Sequence, residues 1–300
     1  MIPSRIVGGR YVVLGEVGRG RMGVVWRAED RVTGRQVAVK ELRLPEGLTP
    51  PQRAQFRKRL LREARAATRL GAPGIVAVHD IVTDNDVDHV VMELVGALSL
   101  TETVAAEGPL DEPAAARLGQ AVLAALLRAH DGGVVHDDVQ PGTVLLGADG
   151  RIALTDFGIV RAVEDLKLIT TLVGAPGYRA PERLAGAPAA PAADLWALGA
   201  TLFYAVAGVG PFERATNAET AHAVGHDDLP PIPCRGPLAD VITGLLVRSP
   251  QHRLTGEQAG ALLDAAVAGA PTEPSAAPPG SWPRRGLLSW WPWARPRPPG

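Results

Sequence analysis

Val134-Val135-His136-Asp137-Asp138-Val139-Gln140-Pro141-Gly142-Thr143-Val144-Leu145-Leu146 sets two short apolar runs around a polar middle. The runs read as small strands, and between them lie two adjacent acids, a glutamine, a Pro-Gly turn and a threonine. Polar groups carried on a loop between buried strands stand at the edge of a cleft, where chemistry is usually done. Leu154-Thr155-Asp156-Phe157-Gly158 follows the same plan, with an acid placed where an apolar run breaks.

The rest of the chain is ordinary in bulk. Its 300 residues are 46% hydrophobic and 21% charged, enough for a globular body of two lobes. A net charge of -1 gives no bulk attraction to nucleic acid. The single cysteine, Cys234, excludes an internal disulfide and suits a reducing, cytoplasmic setting. Met1 to Arg10 has no apolar core of signal-peptide length, and no run of about 18 apolar residues predicts a membrane span. Prolines crowd the chain after Gly269, so the folded body is expected to end near Ala268.

Towards the N-terminus, Tyr11 to Val17 reads as a strand running into Gly18-Arg19-Gly20-Arg21-Met22-Gly23. A lone G-x-G-x-x-G is weak, and its dinucleotide-binding version needs a helix straight after the glycines. Val24-Val25-Trp26-Arg27-Ala28 follows instead and reads as a second strand. Gly18, Gly20 and Gly23 therefore belong to a hairpin whose bare backbone can close over phosphates; a glycine-rich hairpin with no ligand is the plain alternative. In the next strand, Gln36 to Lys40, alternation puts Ala38 and Lys40 on one face. Pro50-Pro51 opens a helical stripe of Phe56, Leu60, Ala64, Ala67 and Leu70, with Glu63 beside it. Strands are expected over Ile75–Val82 and Val87–Met92. Helices are expected over Glu112–His130, Asp194–Val206, about Leu238–Val247 and Gly256–Val267.

His136 to Thr143 and Asp156-Phe157-Gly158 resemble the catalytic loop and Asp-Phe-Gly motif of protein kinases. The usual loop is His-Arg-Asp-x-Lys-Pro-x-Asn. The glycine hairpin, the Val37-Ala38-Val39-Lys40 strand, the Met92-Glu93-Leu94-Val95-Gly96 hinge and Gly174 to Glu182 follow in family order from Tyr11 to Ala268. The resemblance implies an α+β, bilobal protein kinase-like fold over 11–268: a five-stranded antiparallel upper lobe with one helix, about 11–95, and a mainly helical lower lobe, 96–268. Val139-Gln140-Pro141-Gly142-Thr143 is most similar to the bacterial Ser/Thr group, which implies a protein substrate with Ser or Thr.

The implied ligand is ATP with Mg²⁺ or Mn²⁺. By resemblance Val17, Gly18, Gly20, Gly23, Val25, Ala38, Lys40, Met92, Glu93, Val95 and Leu145 line the nucleotide site. Lys40 pairs with Glu63, Asp138 is the proton acceptor, and Asp156 with Thr143 holds metal. Arg253 pairs with Glu182. His130 and His136 are read as packed structural residues. Three positions depart from the pattern: Asp137 stands where the loop has arginine, Gln140 stands where a lysine contacts the transferring phosphate, and Thr143 replaces asparagine. An attenuated Ser/Thr kinase and a pseudokinase, an ATP-binding module acting through shape and partners, both remain open. Asp137 occupies the place of an arginine that grips activation-loop phosphate, so phosphate on Thr170 or Thr171 is expected not to switch the protein on. The proline-rich tail, 269–300, is expected to be disordered. Trp282, Trp290, Trp291 and Trp293 with flanking arginines suit weak peripheral membrane contact over 282–297; an inert tail is the alternative.

Overall fold

The computed structural model describes residues 5–20, 23–42, 49–69, 73–157 and 175–269, without the side chains of 20, 59–61 and 63–69. Gly158, Thr170, Thr171, Gly174, the side chain of Glu63 and the Trp/Arg tail lie outside the described residues.

The upper lobe is one antiparallel sheet in the order β1-β2-β3-β4-β6-β5. Its strands are β1 (Ile6–Val7), β2 (Tyr11–Gly20), β3 (Gly23–Asp30), β4 (Gln36–Leu42), β5 (Val78–Asp84) and β6 (Val87–Glu93). The sequence predicted five of these; β1 is a two-residue addition, paired Ile6 to Val12 and Val7 to Tyr11. Gly20 opposes Gly23 across the β2–β3 hairpin, so strand follows glycine and the dinucleotide reading is excluded. Helix α1 (Pro50–Arg69) is the one helix of this lobe among the described residues and buries Phe56 completely.

The lower lobe is mainly helical, with a small sheet of β7 (Ala97–Ser99), β8 (Val144–Gly147) and β9 (Ile152–Leu154). Its helices among the described residues are α2 (Leu100–Glu107), α3 (Glu112–Asp131), α4 (Pro181–Leu184), α5 (Pro191–Ala207), α6 (Asn217–His226), α7 (Gly236–Leu245) and α8 (Gly256–Ala268). Helix α3 buries Ala115, Leu118, Val122, Ala125, Leu126 and Ala129, the stripe read from the sequence. It packs on α5 and α8. Helix α5 is buried almost all round, as its largely apolar sequence demands; Asp194 and Thr201 are its buried polar side chains. Gly199 makes its contact with α7 possible: a Cβ there would meet Leu245 Cβ at 2.8 Å. Among the described residues no helix is long and apolar enough to cross a membrane.

Candidate active site

Strands β8 and β9 carry the two acids to one place. The chain from Val134 to Thr143 leads into β8, and Asp156 lies two residues after β9. Asp137 and Asp156 both adopt left-handed backbone, φ 64 and φ 70. For aspartate that conformation is disfavoured, and it persists where surrounding contacts over-determine it.

Those contacts are visible. Asp194, fully buried in the first turn of α5, accepts from the backbone N–H groups of His136 and Asp137, each at 2.8 Å. The same carboxylate is 2.8 Å from His130 Nε2. His136 is fully buried; its Nδ1 accepts from the Asp138 N–H at 3.2 Å, which leaves Nε2 to donate to the Thr155 carbonyl at 2.9 Å. Burial holds its pKa below the ordinary histidine value. Both histidines are thus structural, as the sequence suggested. Asp194 is the positioning residue that the sequence reading passed over: an acid at the head of an apolar helix was the available signal.

Asp138 lies on this anchored loop. Its carboxyl is pushed up to about 7, first by burial and then by the charge of Asp156. Gln140 Nε2 donates to Asp138 Oδ1 at 2.8 Å, so the neutral amide sits directly on the candidate base. Thr143 turns inward. Its hydroxyl lies 3.0 Å from the carbonyls of Asp138 and Gln140 and accepts from the Gln140 N–H at 3.1 Å.

Lys40 is 7% exposed, and its ammonium donates to Asp156 Oδ2 at 2.6 Å. The sequence paired it with Glu63, whose side chain lies outside the described residues. Val25 is the register partner of Lys40, and Ala38 that of Met92. Val25, Ala38, Met92, Val95 and Leu145 belong to one apolar cluster, which draws on both lobes. Gly18 faces open space, where a phosphate can approach the backbone. Val17 is 39% exposed at the hairpin's edge. Glu93 turns its carboxylate to Arg151 in a two-pronged ion pair that holds it below the usual carboxylate range.

Asp137, read from the sequence as standing in an arginine's place, carries a carboxylate that is 2% exposed and accepts from Arg183 Nε and Nη2 at 2.7 and 2.6 Å. A buried carboxylate needs paired cations, and Arg183 supplies the fork. Next to it, Glu182 accepts from Arg253 at 2.7 and 3.0 Å, the pair expected from the sequence.

A small antiparallel upper lobe, a helical lower lobe and two acids at their junction define a bilobal kinase-like fold. The chain belongs to the protein kinase family: the protein kinase domain model matches residues 11–262. Among its relatives, serine/threonine-protein kinase PrkC of Bacillus subtilis is 34% identical over 71% of this chain and 33% of its own length. PknA of Mycobacterium tuberculosis is 34% identical over 90% of this chain and 64% of its own. PkaA of Streptomyces coelicolor is 35% identical, with 84% and 49% covered. The chain spans between about a third and just under two thirds of these relatives.

Proposed function

We propose that this chain is an attenuated serine/threonine protein kinase, transferring the ATP γ-phosphoryl group to a protein hydroxyl. The observation that carries the reading is the convergence of Asp138, Asp156 and Lys40 on one cleft edge, with Gln140 where full charge is wanted. Asp138, with its pKa near 7, takes the hydroxyl proton as the new oxygen–phosphorus bond forms and the bond from the γ-phosphorus to the bridging oxygen breaks, releasing ADP. Lys40 neutralises phosphate charge, and the β2–β3 backbone covers the phosphates. The clustered Val25, Ala38, Met92, Val95 and Leu145 supply an apolar slot for a flat base.

A divalent ion, Mg²⁺ or Mn²⁺, suits this donor set. Mg²⁺ is commonly held by one or two carboxylates plus substrate phosphates, and Asp156 offers such a carboxylate. No cluster of three or more metal-ligating side chains occurs among the described residues, so a protein-only cage is not formed there. When bound, the ion supplies charge neutralisation between the phosphates. The Thr143 hydroxyl braces the loop backbone at 3.0–3.1 Å, which leaves it one lone pair to offer such an ion.

That inward turn favours the second reading, a pseudokinase that binds ATP and signals by shape. Transfer of labelled phosphate from ATP to a generic basic protein separates the two, with Asp156→Ala as the blank. Transfer above the blank supports the kinase; nucleotide binding with transfer at the blank level supports the pseudokinase. Protein substrates bearing Ser or Thr, a cytoplasmic setting and a weak membrane contact through 282–297 belong to the same proposal.

A further inference from the structure

We propose that Asp137 is a built-in anion: its carboxylate fills an arginine pocket and latches the catalytic loop without any phosphate. The inference rests on reading Asp138 as the base, since the latch ends on the residue beside it.

Arg183 grips Asp137 through two nitrogens, at 2.7 and 2.6 Å, and Arg179 Nη2 stands 3.8 Å from the same carboxylate. The side chains of Asp137, Arg183 and Arg179 are 2%, 8% and 13% exposed, respectively. Two guanidinium groups this close, out of water, repel one another, and an anion between them offsets the repulsion. A fork of arginines has the chemistry of a phosphate site, matched by several acceptor oxygens and more than one negative charge. Here the loop itself supplies the anion.

The latch also transmits rigidity. Glu182 ties α4 to Arg253, while Arg183, the next residue, points the other way, to Asp137 and the Ala187 carbonyl. The stretch 180–187 is therefore fixed to the lower lobe and carries that fixity to the loop. Asp137 is held twice, by Asp194 at its N–H and by Arg183 at its carboxylate, in a backbone conformation at φ 64. Both holds set the direction in which Asp138 leaves. With the seat already taken, a phosphate on Thr170 or Thr171 gains nothing there.

Asp137→Gly tests this cleanly, because glycine accepts the left-handed backbone and only the carboxylate is lost. The variant's melting temperature is expected to fall by about 5–15 °C. Acetate, formate or inorganic phosphate at millimolar concentration should raise it by several degrees, with chloride at equal ionic strength as control and no such rise in the unaltered protein. Single-turnover transfer should fall at least about tenfold and recover with the same anions. Asp137→Asn fills the seat with a neutral group of the same shape, so it should weaken the protein without anion rescue. Glycine protein recovered folded only in acetate also supports the latch. Equal responses to chloride and acetate, or full activity of Asp137→Gly without added anion, would overturn it. The thermal readout needs no phosphotransfer: anion rescue in a chain that never transfers phosphate keeps the latch and sinks the kinase reading.

Discussion

Replacing Gln140 with lysine tests where the site loses rate. The amide of Gln140 is a neutral donor 2.8 Å from Asp138 Oδ1. An ammonium there makes the bond charge-assisted and adds a full charge beside the transferring phosphate. Hydrogen bonds to charged groups contribute about 1.5–3 kcal/mol, so Gln140→Lys should speed transfer by roughly ten- to a hundredfold. The same charge bears on Asp138, whose carboxyl now sits at about 7 through burial and the Asp156 charge. A base works unprotonated, so the rate falls as pH drops through its pKa. A cation at position 140 lowers that pKa, and the acidic limb of the rate profile should move to lower pH. Single-turnover rates across pH, with nucleotide and metal saturating, measure both effects together. An unchanged rate with an unmoved limb would refute the reasoning, because an ammonium beside the base could not leave both untouched.

Asp138 also predicts a stability trend in the nucleotide-free protein. Its pKa is raised from 3.8 to about 7, so the folded chain keeps a proton that the unfolded chain releases. Stability from this group is full below about pH 4 and is lost as pH rises towards 7, at most about 4 kcal/mol. Asp138→Asn should therefore melt higher than the unaltered protein above pH 7, and thermal scans across pH check it. Asp194→Ala removes the acceptor for two buried loop N–H groups; a loss of about 3 kcal/mol or more is expected in denaturant titration, with transfer abolished. Thr143→Val keeps shape and deletes the bracing hydroxyl; it should cost about 1–3 kcal/mol and leave nucleotide affinity, read by calorimetry, within a few fold.

Much of this was legible because the signals are local. Alternation in Gln36–Leu42 and the β-branched run after Gly23 require strands, and the stripes of Glu112–Asp131 and Gly256–Ala268 require helices. Asp138 and Asp156 stand out as acids at breaks in apolar runs. Strand β1 was invisible, since two residues cannot show a period. Helix α6 was missed although Thr216 with Glu219 forms a capping box, a four-residue signature the sequence carries; Ser99 with Glu102 forms another at the head of α2. Side-chain partners are a different matter. Asp137 meets Arg183 46 residues away, and Lys40 meets Asp156 across 116 residues. Such pairs depend on how the two lobes and the loops close, which no local pattern encodes. The inward turn of Thr143 is hidden for a related reason, because a hydroxyl's choice between ligand and loop backbone is made by packing.

The most direct test of the account is the single-turnover transfer rate of the unaltered protein beside Asp138→Asn, at saturating ATP and divalent metal and between about pH 5 and 9. The account predicts slow transfer that rises with pH towards a plateau in the unaltered chain, and a rate at least about a hundredfold lower and flat in Asp138→Asn. Equal rates in the two proteins, with ATP bound in both, would contradict the claim that Asp138 drives phosphotransfer here.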